Sequence, residues 1–354
     1  MRVPEVIKDC VVFLGRTRAI DKQLHEVELT GTGFLVGQPS EFDQQSRFLY
    51  LVTAKHVIDG LQGDLCGVRI NTVDGGSELL SPGPKWWFHP NDPTVDIAVV
   101  PFGLSRETFA FTSIPTESFA TPQNIAEADI GAGDEVFMTG LFSFKHGDRR
   151  NLPIVRYGNI AALAGDELIA SRDYNMRAHL IEARSLGGLS GSPAFVRQTI
   201  SIGFGDPKHF SENELYKRIT PANLPPEEAK MFITGIGPFF LLGLTHGHWD
   251  IPISQKNEVT IIEDAAGKVN MGIALVVPAE YILDVINQPE LAAMRKEVHD
   301  HSRRQVLKPT LDNVVSKNAA NEQMTPKGTR IAVPTRDSFI SDLEKATRRK
   351  KPSE

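Results

Sequence analysis

Apolar positions along this chain fall in short runs, and glycine, proline and polar clusters interrupt them as far as about residue 285. Val11-Val12-Phe13-Leu14-Gly15 reads as a first strand. Gly31-Thr32-Gly33-Phe34-Leu35-Val36-Gly37 reads as another, with glycines where backbones crowd. Phe48-Leu49-Tyr50-Leu51-Val52-Thr53 follows, and Trp86-Trp87-Phe88-His89-Pro90 leads through an Asn91-Asp92-Pro93 turn into Asp96-Ile97-Ala98-Val99-Val100-Pro101. A second β-rich block opens near Gly131 and continues through Ile154–Ile160 and Ala194-Phe195-Val196. It ends with Phe239–Gly247 and Gly272–Pro278. Closely spaced strands, Gly/Pro punctuation and the lack of long amphipathic helical patterns predict an all-β barrel or sandwich.

The pattern changes after residue 278. Ala279–Ile286 has helical spacing, and Pro289-Glu290 opens a charged helical stretch toward Arg304. Beyond it the chain is polar, poor in aromatics and basic at its end (Arg348-Arg349-Lys350-Lys351), a composition that predicts disorder. Within that tail, Arg330–Leu343 carries a proline, a capping-type Asp/Ser and apolar residues at i and i+4, the pattern of a short helix that folds on docking. The polar, proline-containing stretch 203–232 reads as an inserted surface loop, with Glu227–Met231 as a short helix opened by proline.

Composition narrows the class. The 354 residues are 41% hydrophobic and 23% charged, enough for one large core or two smaller ones. A net charge of −6 gives the molecule no general pull toward nucleic acid or an anionic membrane. The basic end is short and lacks interleaved aromatics, so nucleic acid is not expected as a partner. No apolar run is long enough to span a bilayer, and the first ten residues hold no uninterrupted signal-type apolar core. Cys10 and Cys66 could form one disulfide at most. Such sparse cysteine usage fits a reducing compartment, and a cytoplasmic protein is the expectation.

The chemistry concentrates at Gly187-Gly188-Leu189-Ser190-Gly191-Ser192-Pro193. Glycines let a backbone turn sharply, so that successive N–H groups aim at one point beside a serine hydroxyl. Such a hydroxyl can attack a carbonyl while the N–H groups hold the oxyanion. Upstream, Leu51-Val52-Thr53-Ala54-Lys55-His56-Val57 ends an apolar run on a histidine, and Asp96 opens a β-rich run. The order His56, Asp96, Ser190 excludes an α/β-hydrolase, which runs serine, acid, histidine around G-x-S-x-G; here Ser192 stands where the second glycine of that motif would be. It also excludes the order aspartate, histidine, serine.

These three strings resemble the T-A-x-H-V, D-[IV]-A-[VL] and G-x-S-G-[GS]-P motifs of the chymotrypsin-like (trypsin-fold) serine peptidases, in particular the trypsin-like peptidase domains of bacterial proteins. The resemblance covers about residues 8–286 and implies two six-stranded antiparallel β-barrels with the site in their cleft, a C-terminal helix and an extended polar tail. It divides the chain into 1–115, a barrel with His56 and Asp96; 116–286, a barrel with Ser190; and 287–354, a helix and a largely disordered basic tail. It also implies the roles. Ser190 is the nucleophile, His56 the base, Asp96 the group that orients it, and the Gly188 and Ser190 amides form the oxyanion hole. The substrate would be a polypeptide and no cofactor is needed. The alternative is a silent or inhibited relative that binds without turnover. A regulatory partner docking on the tail fits either function. No metal is expected; the alternative is a zinc site at His246-x-His248-x-Asp250, a short stretch whose alternate residues would share one face of a strand.

Two departures from the family pattern matter. Secreted trypsins carry, just before the nucleophile, an aspartate that pairs with a freed N-terminus; Leu189 stands there, so an oxyanion hole formed without zymogen cleavage is expected. The residue six before the serine, which sets specificity at the base of the family's pocket, is Arg184. With His246 on the strand expected to line the pocket wall, Arg184 favours an acidic or small P1 residue.

Overall fold

The computed structural model describes residues 3, 5–20, 23–40, 47–61, 65–165, 167–170, 175–183, 188–197, 239–252, 268–300, 322–324 and 330–332. The chain divides into two compact units, Met1–Ala292 and Ala293–Glu354. The first is dominated by strands.

Eight strands form one sheet in its N-terminal half: β1 Val11–Ile20, β2 Gln23–Pro39, β3 Arg47–Thr53, β4 Leu65–Asn71, β5 Ser77–Leu80, β6 Trp87–Phe88, β7 Ala98–Pro101 and β8 Ile114–Pro115. The order is β5-β4-β1-β2-β3-β7-β6, antiparallel throughout, and β8 adds in parallel to β2. In the C-terminal half come β9 Glu135–Gly140, β10 Ile154–Ala162, β11 Ile169–Ala170, β12 Asn175–Met176, β13 His179–Glu182, β14 Pro193–Arg197, β15 Phe239–Pro252 and β16 Lys268–Pro278. Six of them close a barrel in the order β10-β13-β16-β15-β14-β9, while β11 and β12 pair as a separate hairpin. The all-β class thus holds, with one closed six-stranded barrel; among the described residues the N-terminal strands pair as an open eight-stranded sheet.

Helices are short. They are α1 Glu5–Lys8, α2 Lys55–Asp59, α3 Pro122–Glu127 and α4 Glu280–Ile286. Residues 289–300 are also helical. The expected helix after residue 278 is therefore present, broken at 287–288. α3 starts where its sequence dictates: Pro122 fits the first turn, and the Thr121 hydroxyl accepts the Asn124 N–H at 3.2 Å. In the second unit, β17 Glu322–Met324 pairs with β18 Arg330–Ala332. Residues 203–232, most of the 330–343 segment and Arg184 lie outside the described residues.

Four of the barrel strands, β9, β14, β15 and β16, carry runs of residues buried on both faces, which explains their near-continuous apolar sequence, whereas β10 exposes much of its length. Val136 and Met138 of β9, Ala194 and Val196 of β14, Leu242 of β15, and Ala274 and Val276 of β16 form one cluster. The alternate residues Phe137, Phe195, Leu241, Leu275 and Val277 join a larger cluster with Phe13, Phe34, Leu51 and Val99 of the N-terminal sheet. Period-2 alternation thus fills the barrel with one set of side chains and packs the other against the sheet. Phe137 stacks on Phe195 with ring centres 5.1 Å apart. Burying one such ring contributes about 1.5–3 kcal/mol.

Candidate active site

β3 carries the chain into the site, and at Ala54, buried and extended, it turns into α2. His56 sits in the first turn of that helix, where backbone N–H groups have no partner within the helix. Asp96 supplies one. Its Oδ1 accepts the His56 backbone N–H at 2.9 Å, and its Oδ2 meets His56 Nδ1 at 2.7 Å. This two-point clasp fixes both the main chain and the ring of His56.

Asp96 lies just before β7, at the end of a turn shaped by Asp92, whose carboxylate accepts both the N–H and the hydroxyl of Thr94. The Asp96 side chain is 1% exposed. Burial alone would push its pKa up, but hydrogen bonds from His246 and His56 outweigh this and hold it at about 2. The group is therefore a carboxylate at neutral pH.

The second donor is a surprise from tertiary structure. His246 Nδ1 meets the same Oδ2 at 2.5 Å. The cause is a β-bulge: Thr245 pairs with Val276 and Gly247 with Leu275, so His246 is an extra residue on β15. A bulge bends the strand and re-aims one side chain. Here the ring stands edge-on to that of His56, with centres 5.1 Å apart. A simple alternation along β15 gives no sign of this placement.

Ser190 lies in the turn before β14, between Gly188 (φ +94°) and Gly191 (φ +83°). Both glycines hold left-handed conformations that side chains resist. At Gly191 a Cβ would also stand 2.1 Å from the Thr32 carbonyl oxygen. The turn is pinned to β2: Thr32 N–H donates to the Ser190 carbonyl at 2.9 Å, and the Thr32 hydroxyl donates to the Gly188 carbonyl at 2.7 Å. The Thr32 hydroxyl in turn accepts the Leu141 N–H. On the other side, Gly191 N–H donates to the Thr245 carbonyl at 2.8 Å. Neither the Gly188 nor the Ser190 N–H donates to another described backbone group. The Ser190 hydroxyl donates to the His246 carbonyl oxygen at 3.1 Å. Among the described residues no hydrogen bond joins it to His56.

Leu189, where the secreted enzymes' aspartate would be, is fully buried. The two cysteines are free: Cys10 is buried, with its thiol donating a hydrogen bond to the Ile7 carbonyl oxygen, and burial pushes the Cys66 thiol up to about 12. Burial raises the pKa of both thiols and so disfavours the reactive thiolate.

No protein-family model matches the chain, and no curated protein matches it. Among solved structures, that of Deg5 aligns at 16% identity over 61% of this chain and 92% of its own, with a TM-score of 0.35. The HtrA-type protease AlgW with a decapeptide aligns at 15% identity over 78% of this chain, with a TM-score of 0.39; the match spans 62% of that structure's length. An inactive serine-to-alanine form of Rv3671c from M. tuberculosis aligns at 16% identity over 80% of this chain and 90% of its own, with a TM-score of 0.36. At these values the functional reading rests on the site.

Proposed function

We propose that the protein is a trypsin-fold serine endopeptidase. The observation that carries this reading is the clasp of buried Asp96 on both the backbone and the ring of His56, beside a glycine turn that presents Ser190. In the reaction, Ser190 Oγ attacks the scissile carbonyl while His56 Nε2 takes its proton. Asp96 accepts the Nδ1–H, fixing the tautomer and stabilising the imidazolium. The Gly188 and Ser190 amides receive the oxyanion, each worth ~3–4 kcal/mol of transition-state stabilisation. His56 then protonates the leaving amine, and water hydrolyses the acyl-enzyme. For attack, the Ser190 hydroxyl has to leave the His246 carbonyl and turn toward His56.

A fluorophosphonate probe on full-length protein tests this. Wild type is expected to label without N-terminal trimming and Ser190→Ala not to label; a folded wild type that never labels overturns the reading. One observation favours a second function: the hydroxyl hydrogen-bonds a carbonyl instead of the base. A catalytically silent binding protein keeps that arrangement and gives no labelling under any condition. A regulated enzyme with limited substrates, gated by a partner on the tail or by the insertion at 203–232, labels once the partner is added.

The preference for an acidic or small P1 residue rests on Arg184. His246 contributes less to it than its strand position suggests, because its Nδ1 is engaged with Asp96. A peptide library should show cleavage after Glu, Asp, Ala or Ser, and dominant cleavage after Lys or Arg overturns the preference.

A further inference from the structure

The proposed hydrolysis needs one imidazole on Asp96, and the fold supplies two. The second is delivered by a bulge that breaks the β15–β16 ladder, so the strand gives up regular pairing at this point. One ligand atom from each of His56, Asp96 and His246 lies within 4.8 Å of the others. Two imidazoles and a carboxylate are the ligand types that bind zinc with its fourth position open.

We propose that His56, Asp96 and His246 bind a divalent transition metal of the Zn²⁺ class, and that the metal turns off the base of the serine hydrolase. The metal site stands on geometry alone, and the switch rests on the peptidase reading.

The distances suit a metal after a small relaxation. Two imidazoles bound at ~2.0–2.1 Å around a tetrahedral ion place their ring centres roughly 5 Å apart. The observed separation is 5.1 Å. The two Nδ1 atoms stand 2.7 and 2.5 Å from Asp96 Oδ2, distances bridged at present by protons. A metal between nitrogen and oxygen opens each to about 3.3 Å, which asks for shifts of roughly 0.6–0.8 Å. His56 can supply its share, since its side chain is 41% exposed whereas that of Asp96 is 1% exposed. Asp96 Oδ1 keeps the His56 backbone N–H, so the carboxylate binds through Oδ2 alone and stays oriented by an outer hydrogen bond.

The switch follows from the tautomer. A neutral imidazole carries one proton. When Nδ1 gives its lone pair to a metal, that proton sits on Nε2, the atom that has to accept the Ser190 proton. The metal exchanges water ligands for the three side chains, and with both rings neutral no proton is released and nothing is oxidised or reduced. Removing the metal returns each proton to Nδ1 and each Nδ1–H to Asp96.

Cobalt(II), which gives intense visible bands when four-coordinate, is the probe for binding to the full-length chain. Wild type is expected to take up one equivalent, and His246→Asn and His56→Ala to lose roughly tenfold or more in affinity. Thermal melts check that each variant is folded. Loading with Zn²⁺ should lower fluorophosphonate labelling of wild type roughly a hundredfold or more, and a chelator should restore it. Failure to bind one equivalent, or equal binding by folded His246→Asn, overturns the site. Undiminished labelling of the zinc-loaded protein overturns the switch. If the metal-free protein never labels, the peptidase reading falls while the cobalt titration still decides the metal site.

Discussion

At the scale of single residues, the site depends on backbone positions that admit only glycine. Gly191 shows this best. It combines a positive φ with a Cβ position 2.1 Å from the Thr32 carbonyl and 2.4 Å from the Thr53 hydroxyl. Gly191→Ala has to move the nucleophile turn away from β2. The expected cost is ~2–4 kcal/mol, read as a lower urea midpoint, with loss of probe labelling in the protein that remains folded. The glycine pattern around Ser190 is legible as a string, because glycine marks unusual backbone wherever it occurs. Thr32 is not legible. Its hydroxyl joins Gly188 and Leu141, residues far away in the chain, and nothing in the run Gly31–Gly37 separates it from an ordinary strand threonine.

At the scale of elements, β2 and the segment after β9 hold the two halves in place around the site. Residues 148–151 tie down β4, the second strand of the N-terminal sheet. Arg69 donates to the Asp148 carbonyl at 2.9 Å, the Asn151 side chain donates to the Arg69 carbonyl at 2.6 Å, and the Asn151 N–H donates to Asn71 at 2.7 Å. Asn151 is 2% exposed, so its amide has no water to fall back on. Asn151→Ala is expected to destabilise the protein by about 1–3 kcal/mol, seen as a lowered melting temperature. An unchanged melting temperature shows that this clamp carries no stability. The strands themselves were predictable from β-rich runs and turn residues. The His246 bulge was not, since one extra residue in a ladder leaves the composition of the strand unchanged.

At the scale of the whole molecule, the buried charge pattern sets the response to acid. His179 on β13 is 3% exposed, and its Nδ1 accepts the Ala164 N–H at 3.0 Å. Burial first, then the charge of Arg177, pushes its pKa from 6.5 down to about 3. Arg177 is itself paired with Glu280 at the start of α4. Because the folded state resists this proton and the unfolded chain takes it up, the stabilisation is complete above pH 6.5 and is lost progressively as the pH falls toward 3. His179→Gln keeps a hydrogen-bond acceptor and does not titrate. Its stability, followed by urea unfolding between pH 7 and 4, should fall less steeply with acid than that of wild type; parallel curves refute the assignment. By itself the sequence determined the all-β class and the His56, Asp96 and Ser190 strings, because strand periodicity, turn glycines and capping residues act over a few neighbours. Only the tertiary structure decided that Asp96 holds two histidines, that Ser190 faces a carbonyl, and that one barrel closes beside an open sheet. Those features arise from strand register and long-range packing, which couple residues that no local pattern connects.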